Sequence, residues 1–212
     1  PFDYTGHGFG GTCYIADPYR WYSMFKVPAG GPPGHWRVVS PVESHVDEKT
    51  AFDDDACQRR IQAVLPHPGG GTFQILHKNL YPVHQRIAGR FVKGNIFLAG
   101  DAAHINNPLG GMGLNFGIHD ALNLSEKITA VYRGEAQKNI FDLYDRQRRT
   151  VAEEYLLAQT AQNKRDLEEG DSKARKRRQQ EWSKTAANPL AAREFLLRTA
   201  MFKSVERARS IQ

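Results

Sequence analysis

The segment from residue 100 to residue 115 contains the residue types best suited to hold a ligand. Asp101 follows a short apolar run, and Gly110, Gly111 and Gly113 come just before a helical pattern. A carboxylate accepts hydrogen bonds from hydroxyl groups, glycine lets the backbone approach a ligand closely, and the free N–H groups at a helix start stabilise negative charge. The segment therefore predicts a site for a polyhydroxylated or anionic ligand.

The spacing does not indicate other common sites. The glycines do not form the dinucleotide-binding fingerprint, because Phe116 stands where its third glycine would be, and no Gly-Lys-Ser/Thr sequence marks a P-loop. The eight histidines show no metal-ligand spacing, so no metal site is predicted. Cys13 and Cys57 form neither a disulfide framework nor a CxxC pair, which is typical of reduced thiols in a cytoplasmic protein.

The elements that must position this segment change character along the chain. A helix is predicted over Asp53–Leu65, and Ile96–Ala99 is typical of a buried strand because it is short and wholly apolar. The first eighty residues are otherwise predicted to be rich in β-structure, with strands at Thr12–Ile15, Trp21–Val27, Trp36–Val39 and Thr72–Leu76.

Helices are predicted for most of the chain after residue 112. One helical pattern covers Gly113–Tyr132. Asn139 is predicted to cap the next helix, and Asn188 with Pro189 to begin the last one. The apolar positions that recur at helical spacing in the first of these helices are Leu114, Ile118, Ala121 and Leu122.

The formal charge of +6 belongs to one part of the chain. Residues 163–212 contain 13 Lys and Arg against 7 Asp and Glu, whereas the rest is neutral. The basic run at 173–178 is typical of a solvated helix face, with a phosphate-binding patch as the lesser alternative, and no nucleic-acid partner is predicted.

No apolar run reaches the ~18 residues that a membrane span needs. The sequence from Pro1 to Tyr4 has no initiator Met and no targeting signal, so we expect a chain cut from a longer protein.

Residues 94–124 contain a longer pattern than the glycines alone. It comprises a strand, a Gly-Asp-Ala-Ala-His sequence, a proline, a glycine-rich loop and a helix start with an asparagine. It resembles the second flavin-binding motif of the single-component aromatic hydroxylases, the para-hydroxybenzoate hydroxylase-like FAD monooxygenases. The tail from 159 to 211 is similar to that of the hydroxyphenylpropionate hydroxylase-type members. The matching motif positions are Gly100, Asp101, Ala102, Ala103, His104, Pro108, Gly110, Gly111, Gly113, Asn115, Asp120, Asn123 and Leu124.

The resemblance implies an α/β fold and three regions. The chain corresponds to the second half of the para-hydroxybenzoate hydroxylase-like FAD/NAD(P)-binding fold. Residues 1–80 would form the C-terminal part of the substrate-binding β-sheet domain, residues 81–135 the FAD-binding segment, and residues 136–212 a helical C-terminal region. Because the family's N-terminal dinucleotide-binding half is missing from this sequence, the chain alone is not expected to bind FAD tightly.

The resemblance also implies which residues hold the cofactor. Asp101, next to Gly100, would hydrogen-bond the ribityl chain of FAD. Gly113, Leu114 and Asn115 would direct backbone N–H groups at the N1/O2 edge of the flavin and stabilise the charge of its reduced form. The remaining residues assigned to the cofactor are Pro108, Gly110 and Gly111.

On the substrate side, the resemblance implies a phenolic ring held near Pro108 and Leu109. Trp36 and Arg37 alternate on a predicted strand, and one of them is expected to face the substrate. Members of the family hydroxylate the ring with NADH or NADPH and O₂, through a flavin C4a-hydroperoxide. Because the cofactor supplies this chemistry, no catalytic protein residue is assigned.

Two alternatives stay open. The Gly-Asp segment is shared with other flavin oxidoreductases of this fold, such as reductases and halogenase-like enzymes. The chain could instead be a non-catalytic fragment, or one subunit of a split enzyme whose N-terminal half is a separate chain. The long amphipathic C-terminal helices could form a homodimer interface.

Overall fold

The computed structural model describes residues 4, 8–17, 20–31, 34–65 and 67–212. Residues 1–3, which entered the expectation of a cut chain, lie outside this description. The described residues form two compact units. The sheet unit runs up to Pro82 and includes Asp166–Ser172, and the helical unit contains Val83–Arg165 and Lys173–Gln212. Among the described residues, no helix is both long and apolar enough to cross a membrane.

The sheet unit is built on three antiparallel strands in the order β1-β2-β3. Two short helices follow, α1 (Glu48–Phe52) and α2 (Asp54–Gln62), and Asp53 caps α2 by accepting a hydrogen bond from the Ala56 N–H (2.8 Å). Met24 and Leu65 form the centre of a core between α2 and one face of the sheet. The strands are β1 (Thr12–Ile15), β2 (Tyr22–Val27) and β3 (His35–Val39).

These three strands and α2 confirm the sequence predictions, but the predicted strand Thr72–Leu76 is wrong. Residues 72–85 form no regular secondary structure. The side chain of Gln58 on α2 replaces a neighbouring strand: its Oε1 accepts from the Phe73 N–H (2.9 Å), and its Nε2 donates to the Phe73 carbonyl (2.5 Å). A long-range amide contact therefore satisfies the backbone groups that strand pairing would have used.

The helical unit has a core that lies chiefly between α3, α4 and α8. Two short antiparallel ribbons precede these helices, and a π-helical turn, Ala152–Leu157, follows α4. The ribbons pair β4 (Arg86–Ile87) with β7 (His104–Ile105) and β5 (Val92–Lys93) with β6 (Ile96–Phe97). The helices are α3 (Gly113–Tyr132), α4 (Ile140–Val151), α5 (Ala158–Glu168), α6 (Ser172–Ala187), α7 (Pro189–Thr199) and α8 (Phe202–Ser210).

The helix predictions are confirmed for α3, whereas two details differ further along. Asn188 caps α7 as predicted, accepting from the N–H groups of Leu190 (3.0 Å) and Ala191 (3.1 Å). The predicted last helix is broken, because Met201 adopts a left-handed conformation (φ 68°) between α7 and α8. Asn139 precedes α4, but its side chain makes no capping hydrogen bond.

The prediction of a buried strand at Ile96–Ala99 is also wrong. In the described residues the strand pairing covers Ile96 and Phe97, across a tight hairpin in which Gly94 has φ +61°, and the Leu98 N–H adds one hydrogen bond to the Phe91 carbonyl (2.8 Å). The Ile96 side chain is exposed. The apolar run is therefore a short hairpin arm that is exposed at Ile96, packs on a buried cluster at Leu98, and leads into the Gly100–Asp101 turn.

Candidate functional site

The Gly100–Asp101 turn is a single 3₁₀ turn, Gly100–Ala102, that packs closely on α3. Gly100 has φ +58°, a conformation that favours glycine. A Cβ added to Gly117 on α3 would lie 3.1 Å from the Gly100 Cα, so the turn would have to shift to accept alanine at position 117. The side chain of Asp101 is exposed, and within the described part of the chain it has no hydrogen-bond or ion-pair partner. Its carboxylate is therefore available to a ligand.

The glycine-rich loop before α3 is held by amide side chains. Buried Asn107 donates through Nδ2 to the carbonyl of Thr160 (3.0 Å) and to Oε1 of Gln85 (2.8 Å). Asn163 on α5 donates through Nδ2 to the Leu109 carbonyl (3.0 Å). The sequence analysis missed these contacts, because residues 22 to 54 positions apart carry no local signal of their pairing.

Glycine occurs at the different positions of this loop for different physical reasons. A Cβ on Gly110 (φ +100°) would lie 2.6 Å from Nδ2 of Asn163, and a Cβ on Gly113 would lie 2.8 Å from Oδ1 of Asn106. A larger residue at either position would therefore displace an asparagine side chain, and at Gly113 the glycine is explained by packing within the chain. Gly111 (φ +63°) has nothing within 4 Å of an added Cβ, so the backbone borders open space there that a ligand could use.

The start of α3 presents unused backbone donors. The first backbone hydrogen bond of the helix runs from the Phe116 N–H to the carbonyl of buried Met112 (3.0 Å). The N–H groups of Gly113, Leu114 and Asn115 precede it and have no acceptor within the helix. Together with the positive end of the helix dipole, these groups favour an electron-rich ligand edge.

A buried charged cluster lies behind the turn, centred on Asp120 of α3. Its Oδ2 accepts from the Gly100 N–H (2.9 Å) and contacts His104 Nε2 (2.7 Å), and its Oδ1 accepts from Arg148 Nε (2.6 Å). Burial alone would raise the pKa of the Asp120 carboxyl, but the hydrogen bond from His104 and the Arg148 guanidinium outweigh it and lower that pKa. The guanidinium also lies over the Phe116 ring, 5.6 Å from its centroid. The sequence pattern included Asp120 and His104 without a ligand role and did not reveal Arg148.

The residues predicted on the substrate side are divided between the two units. In the helical unit, Pro108 is exposed, whereas the Leu109 side chain is only 2% exposed. In the sheet unit, Trp36 packs edge-to-face on Tyr4 (5.8 Å between ring centroids), on the face that α2 covers. Arg37 alternates to the opposite face and is exposed.

The donor set of the helical unit fits a flavin cofactor better than a metal. An exposed carboxylate matches a ligand with hydroxyl groups, and free N–H groups at a helix start match a ring edge that gains negative charge. No group of His, Cys, Asp and Glu side chains in the described residues could hold a metal ion. The charged residues of the buried cluster instead bind one another.

Comparisons with known proteins identify the family of this chain. The model of the FAD binding domain family matches residues 6–159. The chain is 31% identical to para-nitrophenol 4-monooxygenase of Pseudomonas sp. (strain WBC-3), over 92% of this chain and 48% of the relative. It is 37% identical to 3-(3-hydroxy-phenyl)propionate/3-hydroxycinnamic acid hydroxylase of Mycolicibacterium smegmatis (strain ATCC 700084 / mc(2)155), over 65% of this chain and 23% of the relative.

A solved structure shows the same fold. The crystal structure of p-nitrophenol 4-monooxygenase from Pseudomonas putida DLL-E4 matches with a TM-score of 0.81 and 30% identity, over 93% of this chain and 50% of that chain. The predicted fold class is thereby confirmed. The chain spans about half the length of the para-nitrophenol relatives. On the family match and the shared fold, this chain belongs to the FAD binding domain family.

Proposed function

We propose that the chain forms the flavin- and substrate-binding half of an FAD-dependent monooxygenase that hydroxylates a phenolic ring. The observation that carries the proposal is the Gly100–Asp101 turn, which presents a free carboxylate and packs on a helix whose first N–H groups lack acceptors. The relatives named for nitrophenol and hydroxyphenylpropionate support an aromatic substrate.

In this proposal the protein binds and orients, and the cofactor performs the oxidation. The bound flavin would supply electron transfer from NADH or NADPH and activation of O₂. Asp101 accepts hydrogen bonds from ribityl hydroxyl groups. The N–H groups of Gly113, Leu114 and Asn115 stabilise negative charge at the flavin edge. Pro108 and the glycines at 110 and 111 line the cofactor from the same loop.

For the substrate, we propose Arg37 as the contact in the sheet unit. It lies opposite Phe25 in the strand register, and the rings of Phe25 and Tyr14 make an edge-to-face contact at 6.1 Å. This face therefore offers an aromatic surface and a positive charge, which suit a phenolate. Trp36 supports the sheet from its covered face, and Leu109 acts through its backbone and its packing.

We further propose that the dinucleotide-binding half of the same fold covers the outer face of α3, either as part of the same polypeptide or as a separate subunit. That face is exposed and apolar: Leu114 is 78% exposed, Leu122 57% and Tyr132 90%. The charged residue that borders this face is the exposed Glu126, one turn after Leu122. The para-nitrophenol relatives are about twice as long as the part that this chain matches, so the other half of the fold is the occupant that fits the face.

The proposal also covers the nicotinamide co-substrate, the oligomeric state and the location of the protein. The choice between NADH and NADPH follows from the half that this chain does not match. A homodimer through the C-terminal helices and a cytoplasmic location remain proposals. The location rests on Cys13 and Cys57, which are both free.

The test supplies the chain with the missing half. Residues 1–212 are co-expressed with the part of the Pseudomonas para-nitrophenol relative that this chain does not match, and the complex is purified by gel filtration. We expect a complex with flavin absorbance that oxidises NADH or NADPH when a phenol is present and releases a hydroxylated product. The Asp101→Asn complex is expected to lose most of its bound flavin.

The outcomes separate the candidate functions. A complex that forms but stays colourless with added FAD would contradict the proposal. A yellow complex whose product is reduced or halogenated, with no hydroxylation, would support the alternative oxidoreductases. If the two halves do not associate, the proposed role for the outer face of α3 is wrong.

A further inference from the structure

We propose that Asp120 is the positioning residue of the flavin-binding turn: held by Arg148 and His104, its buried carboxylate fixes the Gly100 N–H and with it the presentation of Asp101. The inference rests on the proposed function only for the identity of the ligand. The positioning itself is a property of this chain and can be measured without FAD.

The Asp120 carboxylate has little freedom to move. Its side chain has no exposed surface, and all three of its donors, Gly100, His104 and Arg148, contact it at 2.6–2.9 Å. Arg148 is anchored in turn, since its Nη2 donates to the Phe116 carbonyl (3.3 Å). A buried carboxylate that lost one of these partners would face a large desolvation cost, so the cluster keeps one arrangement.

This arrangement is transmitted to the turn through one backbone group. The Gly100 N–H lies directly before Asp101, and the Gly100 carbonyl accepts from the Ala103 N–H (2.8 Å), which closes the turn. The carbonyl of Ala103 then accepts from the Ala88 N–H (2.8 Å). Asp101 itself has no partner in the described residues, so its orientation depends on the backbone that Asp120 holds.

An amide of the same shape cannot replace this carboxylate. Asparagine has one acceptor oxygen and an NH₂ group that only donates. If its oxygen faces Arg148, the NH₂ group faces the Gly100 N–H; if it faces Gly100, the NH₂ group faces Arg148 Nε. A change of tautomer at His104 does not solve the problem. It would move the ring proton to Nδ1, which is buried and has no hydrogen-bond partner in the described residues. Asp120→Asn is therefore a conservative change in shape that removes the proposed function of the residue.

The test uses the full 212-residue chain, with Lys127→Met as the matched control. Lys127 is another buried charged residue on α3, but it binds Asn123 Oδ1 (2.8 Å) and Gln147 Oε1 (3.0 Å) and makes no contact with the turn. Native-state amide exchange is followed at Ala103, whose hydrogen bond Asp120 does not touch, and at a reference amide in α4.

For Asp120→Asn we expect exchange at Ala103 to accelerate by about tenfold more than exchange at the reference amide, as local opening requires. In Lys127→Met the two amides should change together. If Asp120→Asn instead accelerates exchange at Ala103 and at the reference amide by the same factor, Asp120 stabilises the whole unit and does not position the turn, and the inference is overturned.

If Asp120→Asn does not fold, His104→Gln, which keeps an N–H donor, is compared with His104→Leu by exchange at the Ala103 amide. Only the leucine variant should then open the turn, and equal exchange in the two would likewise overturn it.

A second readout connects the turn to the ligand. In the co-expressed complex, Asp120→Asn should weaken FAD binding by about tenfold, the size of one lost charged hydrogen bond, and Lys127→Met should leave the affinity unchanged. Unchanged FAD affinity in Asp120→Asn would overturn the link between turn and cofactor. If no complex binds FAD at all, the proposed function fails, while amide exchange still decides whether Asp120 positions the turn.

Discussion

The two faces of α3 differ from those of an ordinary surface helix, because charged side chains are buried on one face and large apolar side chains are exposed on the other. The covered face holds Asp120 and Lys127, both buried. The open face presents Leu114, Ile118 and Tyr132 to solvent, with Tyr132 90% exposed. An amphipathic surface helix normally buries its apolar stripe and exposes its charges.

The difference teaches what apolar periodicity does and does not report. The pattern at Leu114, Ile118 and Leu122 correctly predicts a helix, but these three side chains are exposed. None of the described residues covers this face, which is consistent with a chain that spans about half the length of the para-nitrophenol relative. The charged face can be buried because each charge has partners: Asp120 binds Arg148, and Lys127 is surrounded by amide oxygens.

Breaking the buried ion pair between Asp120 and Arg148 should have the largest effect on the free energy of unfolding. Arg148→Met leaves the Asp120 carboxylate buried without its guanidinium partner, and we expect it to lower the free energy of unfolding by about 3–5 kcal/mol. Urea denaturation of the isolated chain measures the change. Arg149→Met is the control, because that neighbouring arginine makes only longer ion pairs with Asp145 (3.6 Å) and Glu153 (3.5 Å). Equal losses in the two variants would contradict the special status of the buried pair.

Gly117 lies between the two faces of α3, and replacing it by alanine should change the free energy of unfolding in the direction opposite to the usual one. Glycine to alanine in a helix interior normally stabilises by about 1 kcal/mol. Gly117→Ala should instead destabilise by about 1–3 kcal/mol, since the new Cβ would approach the Gly100 Cα to 3.1 Å. The melting temperature measured by circular dichroism distinguishes the two signs, and a rise would show that the turn can move away from α3.

Acid should lower the free energy of unfolding through Asp120, which lies on the covered face of α3. Because the folded-state pKa of Asp120 is lowered, its ionisation stabilises the fold above its unfolded pKa of about 3.9. That contribution is lost as the pH falls through the lower folded value. The difference in unfolding free energy between the wild type and Asp120→Asn should therefore be constant from pH 7 to about 5 and shrink below about 4. A difference that widens in acid would reverse the assigned sign.

The open face should have the smallest effect on the isolated chain. Replacing Leu114, Ile118 and Leu122 together by serine should change the free energy of unfolding by no more than about 0.5 kcal/mol per site, the usual range for exposed positions. The same triple variant should abolish co-purification with the other half of the fold. A large loss of stability in the isolated chain would mean that this face is already packed, contrary to the exposures.

Local features of the site were predictable from the sequence, whereas the contacts that hold it were not. The start of α3 at Gly113 and the cap at Asn188 depend on neighbouring residues, and both were found. Asn163 supports Leu109 across 54 positions. Gln58 occupies the backbone of Phe73 and prevents the predicted strand. Side chains that act over such separations leave no periodic pattern to detect.

By itself, the sequence determined which residues form the turn, the glycine-rich loop and the helix after them, because glycine conformations, helix starts and apolar spacing are local properties of the backbone. Only the tertiary structure decided which face of α3 is covered, and that Arg148 and His104 hold Asp120 against Gly100. A carboxylate can be buried only where donors from other parts of the chain meet it, and that meeting exists only in the folded protein.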